Sequence, residues 1–327
     1  MFKRHLLTLA LTLSAVPAFA QQGPKPVPAD AATRKAVIDE LSSQLNTYYV
    51  FPDVAAQLAT SLAGKEASGG YADAKDSKTF ADALTNDLRT LGNDSHFFVG
   101  YDPGFRAPPP NAMPDTATLE AMHQEISNHG FGIDSVKRLP GNVGYLELRG
   151  FGPTAMVGAA ISGAMTVLSG TDALILDLRR NGGGEPETVA YLMSHFFAPG
   201  DERHLNDLYF RNGDKTRQYW TSASVSPHYT RPVYVLTSGR TFSGGEECAY
   251  DFQTQKRAKI VGETTGGGAN PGDGYAIAKG YAAFIPNGRA INPITKTNWE
   301  HVGVKPDISV PAADAQKVAH AAILREL

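Results

Sequence analysis

The residues best placed for chemistry are in Val233-Tyr-Val-Leu-Thr237 followed by Ser238-Gly-Arg-Thr-Phe-Ser243-Gly-Gly. The first five read as a buried strand and the rest as a turn, and Glu246 opens a helix. Ser243 therefore sits at a helix N-terminus, where unpaired backbone N–H groups and the positive end of the helix dipole face outward. Such a position can hold a nucleophile and stabilise an oxyanion. Gly244 and Gly245 keep side chains out of the approach. Thr241 stands where a G-x-S-x-G elbow would have its first glycine, so this is not the α/β-hydrolase turn. Serine also commonly caps helices, and the segment alone leaves that alternative open.

A second glycine-rich turn has the same build. Ala173-Leu-Ile-Leu-Asp-Leu178 reads as a strand running into Arg179-Arg-Asn-Gly182-Gly-Gly184, and a helix follows with Pro186 and Glu187 in its first turn. Two such turns side by side at one sheet edge would aim the N–H of Gly244 and that of Gly182 or Gly183 at one point, which is an oxyanion hole. A valine at Gly183 is then expected to crowd the hole and leave Ser243 in place. The alternative is a phosphate cradle, but G-x-x-x-x-G-K-[ST] is absent and no lysine follows the glycines.

The elements that must carry these turns are legible from periodicity. Val143 to Leu148, Ala173 to Leu178, Val233 to Leu236 and Lys259 to Val261 read as short strands. They alternate with helical stretches at Met156 to Leu168, Pro186 to Phe197 and Gly244 to Gln255, and Ala312 to Leu324 reads as a last helix. That alternation predicts an α/β core. Upstream, Val37, Ile38, Leu41 and Leu45, then Val54, Leu58 and Leu62, then Phe80, Leu84, Leu88 and Leu91 recur at helical spacing. They predict three amphipathic helices between Ala31 and Leu91, with Asp53 and Ser77 as start signals and Gly64 and Gly92 just past helix ends. Pro103, Pro108, Pro109, Pro110 and Pro114 mark a linker.

Composition bounds the rest. The chain has 327 residues, a net charge of −3 and one cysteine, Cys248. Lys3 and Arg4, an apolar run from Leu6 to Val16 and Ala18-Phe19-Ala20 form a signal-peptide pattern, with cleavage expected near Ala20. The run is too short to span a bilayer, and no later stretch approaches the needed length, so no membrane anchor is expected. The resulting division is a signal peptide at 1–20, a helical domain at 21–100, a proline-rich linker at 101–116 and a catalytic core at 117–327. Loss of Lys3 and Arg4 makes the chain two units more negative, and no basic cluster stands out, so nucleic acid is not an expected partner. A lone cysteine offers no internal disulfide, and Cys248 reads as a core residue of its helix rather than a reactive thiol. The expected location is the periplasm or the extracellular space. No cofactor or metal is called for, and the oligomeric state is not readable.

Three segments together resemble the serine peptidase family of the C-terminal processing proteases and the tricorn protease core. They are Thr237-Ser-Gly-Arg-Thr-Phe-Ser243-Gly-Gly-Glu, Asp177-Leu-Arg-Arg-Asn-Gly-Gly-Gly184, and Trp299-Glu-His-Val-Gly-Val-Lys-Pro306-Asp-Ile308. Leu139-Pro-Gly-Asn-Val-Gly-Tyr-Leu146 and Gly262-Glu-Thr-Thr-Gly-Gly-Gly-Ala-Asn-Pro271 are most similar to the branch with the interphotoreceptor retinoid-binding protein modules. The resemblance implies a ClpP/crotonase-like core behind a small N-terminal helical domain. The chain between His96 and Val143 is too short for the PDZ domain that the processing proteases insert there.

The resemblance also implies a general base. Processing proteases pair the serine with a lysine in Gly-x-x-Thr-x-Gly-Lys; here Gly268 holds that place. The tricorn branch uses a histidine preceded by serine, together with a glutamate near Gly-x-x-Pro-Asp, and this chain has Asp94-Ser95-His96 and Glu300 in those places. The roles implied are Ser243 as nucleophile, His96 as base, Ser95 as relay and Glu300 as orienting acid, with a peptide or protein as substrate. A hydroxyl needs such a base at neutral pH, and imidazole, which titrates near ~6.5 when free, suits the task. His96 and Ser243 would then face each other across a cleft that has to close. Read on its own, His96 is an ordinary loop histidine and Glu300 a solvated carboxylate, while His301 is an alternative base without a family position. Two other functions stay open: a non-catalytic carrier of apolar ligands such as retinoids or lipids, and a crotonase-type acyl-CoA enzyme.

Overall fold

The computed structural model describes residues 24–107 and 114–327. The expected signal peptide and residues 108–113 of the proline-rich stretch lie outside the described residues.

The three N-terminal helices form where the apolar periodicity places them: α1 (Ala31–Tyr48), α2 (Pro52–Ala67) and α3 (Ser77–Gly92). Their starts are set by other residues than expected. Asp30 caps α1 by accepting the Thr33 N–H at 2.8 Å. Pro52 pre-sets the first turn of α2, which runs through Gly64. Asp76, not Ser77, caps α3 by accepting the N–H groups of Lys78 and Thr79, each at 2.9 Å. The helices do not close a core alone. Ile277, Tyr281, Ala283 and Ile285, some 180 residues downstream, pack among Leu41, Leu58 and Phe80. The strand β1 (Phe98–Tyr101) carries the chain out of this layer.

Beyond β1 the first element is α4 (Thr116–Asn128), a helix the sequence reading had not placed; Asp115 caps it through the Thr118 N–H at 2.7 Å. Then come β2 (Ile133–Leu139), β3 (Val143–Leu148), α5 (Thr154–Leu168), β4 (Ala173–Asp177), α6 (Pro186–Ser194), and the hairpin β5 (His204–Phe210) and β6 (Lys215–Trp220). The chain continues with β7 (Val233–Thr237), α7 (Gly244–Thr254), β8 (Lys259–Gly262), β9 (Gly272–Ile277), β10 (Tyr281–Pro286), β11 (Gly288–Ile291), β12 (Ile308–Ser309) and α8 (Ala312–Glu326).

Among the described residues the main sheet has the order β12-β8-β7-β4-β3-β2, parallel except for the antiparallel edge strand β2. Its strands are apolar on both faces because both are covered. Leu146, Leu174, Leu176, Val233, Val235 and Ile260 face α5, α6 and α7, whereas Tyr145, Ile175, Tyr234, Leu236 and Val261 face Ala315, Ala319 and Ile323 of α8. That two-sided burial explains the continuous apolar runs in the sequence. Cys248 is fully buried in the first of these layers. Two small sheets flank the core, β11-β5-β6 and β1-β10-β9. The second joins the helical layer to the core through the pairing of Phe98 with Phe284 and its neighbours. The architecture is the expected α/β core with a small N-terminal helical domain and no PDZ domain between them.

Candidate active site

Strands β4 and β7 are parallel neighbours, in register from Leu174 with Val233 to Asp177 with Leu236. Their C-terminal ends therefore release the two glycine-rich turns side by side, at the sheet edge where open α/β folds place their sites. Three bonds fasten one turn to the other. Thr241 Oγ1 donates to the Leu178 carbonyl at 2.8 Å, Ser238 Oγ donates to that of Arg179 at 2.6 Å, and the Phe242 N–H donates to that of Asn181 at 3.0 Å. Thr241, which excluded the hydrolase elbow, thus pins one turn to the other.

Ser243 lies between these turns with φ 51° and ψ −122°, a conformation that L-residues rarely adopt. Holding a non-glycine residue there costs roughly 1–3 kcal/mol and persists only where the surroundings over-determine it. The surroundings here are specific. Glu246, fully buried, receives four hydrogen bonds: Oε1 from Thr265 Oγ1 at 2.5 Å and the Gly267 N–H at 2.6 Å, Oε2 from the Gly268 N–H at 2.8 Å and the Ser243 N–H at 2.9 Å. Burial pushes its carboxyl up from the ordinary value, and the four bonds oppose that shift. One side chain thereby holds both the serine turn and the 265–268 loop. Sequence reading saw Glu246 only as a helix opener. The Ser-x-x-Glu spacing would have revealed its bond to the Ser243 N–H, but nothing local signals the loop amides.

The oxyanion candidates differ in what their amides already do. Gly244 is the first residue of α7, so its N–H has no partner within the helix. The Gly182 N–H donates to the Arg149 carbonyl at 3.2 Å, and the Gly183 N–H donates to Asn181 Oδ1 at 2.8 Å. Gly183 lies closest to the serine: with φ +107°, a Cβ there would fall 2.8 Å from Ser243 Cβ and 2.9 Å from the Gly244 nitrogen. A side chain at 183 would displace Ser243 itself, contrary to the expectation that it would crowd the hole alone.

His96 reaches the same place from the helical layer. Its ring lies 4.6 Å from that of Phe242, centroid to centroid, and rests over Gly268, where a Cβ would come within 2.6 Å of His96 Cε1. The bare backbone of Gly268 is what makes room for the imidazole. A side chain at 268 and the ring of His96 exclude each other. The ring thus already lies against the serine turn, at Phe242. The two layers are already joined by β1 on β10, by Asn270 Nδ2 donating to Asp94 Oδ2 at 2.9 Å, and by the Arg211 guanidinium donating to the Tyr49 carbonyl at 2.7 Å. Neither ring nitrogen of His96 has a hydrogen-bond partner among the described residues, and the nearest carboxylate oxygen is Asp94 Oδ1, 3.6 Å from Nδ1.

Ser95 is exposed on the cleft wall, and no hydrogen bond joins it to His96 or Glu300 among the described residues. The Glu300 side chain is 8% exposed, with Oε2 accepting the Ala269 N–H and Oε1 without a hydrogen-bond partner among the described residues. Burial, and next the Asp94 carboxylate, raise its pKa to about 8. An acid raised in the folded state stays protonated while its unfolded counterpart ionises. Its contribution therefore makes stability fall as pH climbs from about 4.5 through 8. Thermal unfolding across that range is expected to show the wild type losing on the order of a few kcal/mol relative to Glu300→Gln. Parallel curves for the two proteins would mean that Glu300 ionises normally. His301 is half exposed and does not line the cleft, which leaves His96 as the imidazole beside Ser243.

Ser95, His96, Phe242, Ser243 and Gly268 open on one cleft of about 1220 Å³, bounded by β1, β6 and β10. Residues 142–310 match peptidase family S41, and residues 28–134 match the N-terminal domain of Peptidase S41 in eukaryotic IRBP. The chain belongs to peptidase family S41. It is 26% identical over 177 residues to carboxyl-terminal-processing peptidase 1, chloroplastic, of Arabidopsis thaliana, covering 54% of this chain and 35% of that protein. It is 29% identical over 151 residues to the carboxy-terminal processing protease CtpB of Bacillus subtilis (strain 168), covering 44% and 28%. The chain thus spans about a third of the length of these curated relatives. Among solved structures it is similar to the photosystem II D1 C-terminal processing protease, with TM-score 0.52, 17% identity and coverage of 86% of this chain and 94% of that one. It is also similar to the tricorn protease, with TM-score 0.58, 12% identity and coverage of 90% and 37%. At such identities the likeness is one of fold.

Proposed function

We propose that this chain is an exported peptidase that cleaves peptide bonds through an acyl-enzyme on Ser243, with His96 as general base. The observation that carries the reading is the strained Ser243, held on the turn after β7 beside Gly183, with an imidazole over Gly268 where lysine-dependent relatives carry their base. His96 Nε2 takes the hydroxyl proton as Ser243 Oγ bonds to the scissile carbonyl carbon. The oxyanion is received by the N–H of Gly244 and that of Gly183, which Asn181 Oδ1 holds until the oxyanion competes for it. His96 then gives its proton to the leaving amine as the C–N bond breaks. Water, deprotonated by the same nitrogen, attacks the ester, and the proton returns to Ser243 Oγ. Ser95 as relay and Glu300 as orienting acid rest on the sequence resemblance alone. Export rests on the pattern at residues 1–20.

Incubation with a denatured polypeptide, with products sequenced by mass spectrometry, tests the activity. New amine and carboxyl termini are expected, and none should appear with Ser243→Ala. No cleavage by a wild type whose Ser243 still reacts would contradict the peptidase reading and favour a carrier or esterase. A smaller change probes the second turn. Gly183→Ala, whose Cβ meets Ser243 Cβ at 2.8 Å, is expected to lower kcat/KM about 10²-fold or more. Turnover equal to wild type would remove that turn from the site.

A further inference from the structure

Behind His96, on the side away from the cleft, lies a polar cluster that the tricorn-like assignment does not use. Asp94 is 1% exposed, and each of its oxygens is committed. Oδ1 accepts the backbone N–H of His96 at 3.0 Å, which fixes the carboxylate beside the imidazole of the same turn, 3.6 Å from Nδ1. Oδ2 accepts from Asn270 Nδ2 at 2.9 Å and from the Tyr49 hydroxyl at 3.4 Å. Burial, and next the Asp94 carboxylate, push the Tyr49 phenol upward, so it remains a donor. Glu300, by contrast, turns Oε2 to the Ala269 N–H, and its Oε1 lies 3.6 Å from His301 Nδ1.

We infer that Asp94, rather than Glu300 acting through Ser95, is the positioning residue that holds His96 through Nδ1 and leaves Nε2 to take the serine proton. The inference rests on the reading of His96 as base. A carboxylate there fixes the tautomer and stabilises the imidazolium as the proton moves, the role of the third member in serine triads. The 3.6 Å separation exceeds a hydrogen bond, and the role requires it to shorten when substrate is present, as such contacts do. Glu300 is poorly suited to that role. Burial and the charge of Asp94 keep it protonated near neutrality, and a neutral acid cannot offset an imidazolium. The charged and titratable groups around the pair are Tyr49 from the end of α1, Glu300 and His301 ahead of β12, and Glu246 of α7. Arg89 of α3, whose Nε donates to the Phe97 carbonyl at 2.7 Å, lines the same cleft.

The test is ¹⁵N NMR of the His96 ring across pH in the full-length protein. Neutral His96 is expected as the Nδ1–H tautomer. Asp94→Asn should lower its titration midpoint by about one unit or more, and Glu300→Gln should move it far less. Because Asp94→Asn puts two amides face to face, a second variant exchanges the pair. Asp94→Asn with Asn270→Asp keeps their hydrogen bond but takes the charge away from Nδ1, so the midpoint should stay low. In turnover, Asp94→Asn is expected to cost about 10²- to 10⁴-fold, and nothing further once His96 is alanine, whereas a purely structural role would still cost activity there. An Nε2–H tautomer, an unmoved midpoint in both Asp94 variants, or a larger shift with Glu300→Gln would overturn the inference. Ser243 failing to react with a fluorophosphonate would instead remove the hydrolase reading and leave the ring titration to decide Asp94 separately.

Discussion

Replacing Ser243 with alanine is expected to leave a folded protein whose peptidase turnover is lower by about 10⁴- to 10⁶-fold. The hydroxyl oxygen is the only heavy atom lost. Alanine meets the same strain at φ 51°, and the bonds that fix this turn come from the Ser243 backbone and from Glu246, so the fold has little to lose. Glycine at 243 would relieve the strain and should raise the melting temperature while being equally inactive, since it adopts positive φ without penalty. Activity and thermal unfolding measured on both variants separate chemistry from stability. Retained turnover in either would remove Ser243 as nucleophile.

Replacing His96 with alanine is expected to reduce kcat/KM by about 10²- to 10⁴-fold or more, the usual worth of a positioned base. Lysines offer no substitute. Lys259 lies on β8 with its Nζ 3.2 Å from the Tyr234 hydroxyl and paired with Glu326 of α8, on the face of the sheet away from the cleft. Lys256 follows the far end of α7. Alanine at either position should change turnover little, and kcat/KM of the wild type should rise with pH as an imidazole loses its proton. Near-normal turnover in His96→Ala, or a loss in Lys256→Ala or Lys259→Ala matching that of Ser243→Ala, would return the base to the unknowns.

How much of this was readable beforehand follows from where each residue finds its partners. The strands at 143–148, 173–177 and 233–237 are buried on both faces, so their apolar runs announce them, and the glycine-rich turns follow because each strand must turn where its helix begins. Helices α1 to α3 show a 3.6-residue stripe because each has one buried face. The hairpin β9–β10 gave no such signal. Its Ile277, Tyr281, Ala283 and Ile285 pack against Leu41, Leu58 and Phe80 of another layer, and the pairing of Phe98 with Phe284 spans most of the chain. For the site, Ser243, Gly183, Gly244 and His96 could be named from motifs. The work of Glu246 could not, because three of its four donors come from a loop some twenty residues on. Gly268 was legible only as a missing lysine; that its bare backbone seats the His96 ring required the two layers to be packed together.

Treatment of the wild type with a fluorophosphonate, followed by mass spectrometric mapping of the adduct, tests the pairing of Ser243 and His96 most directly. The phosphonyl group is expected on Ser243 alone, formed quickly in the wild type and slowed at least 10²-fold in His96→Ala. An adduct on another residue, no adduct at all, or equal labelling rates in the two proteins would contradict it.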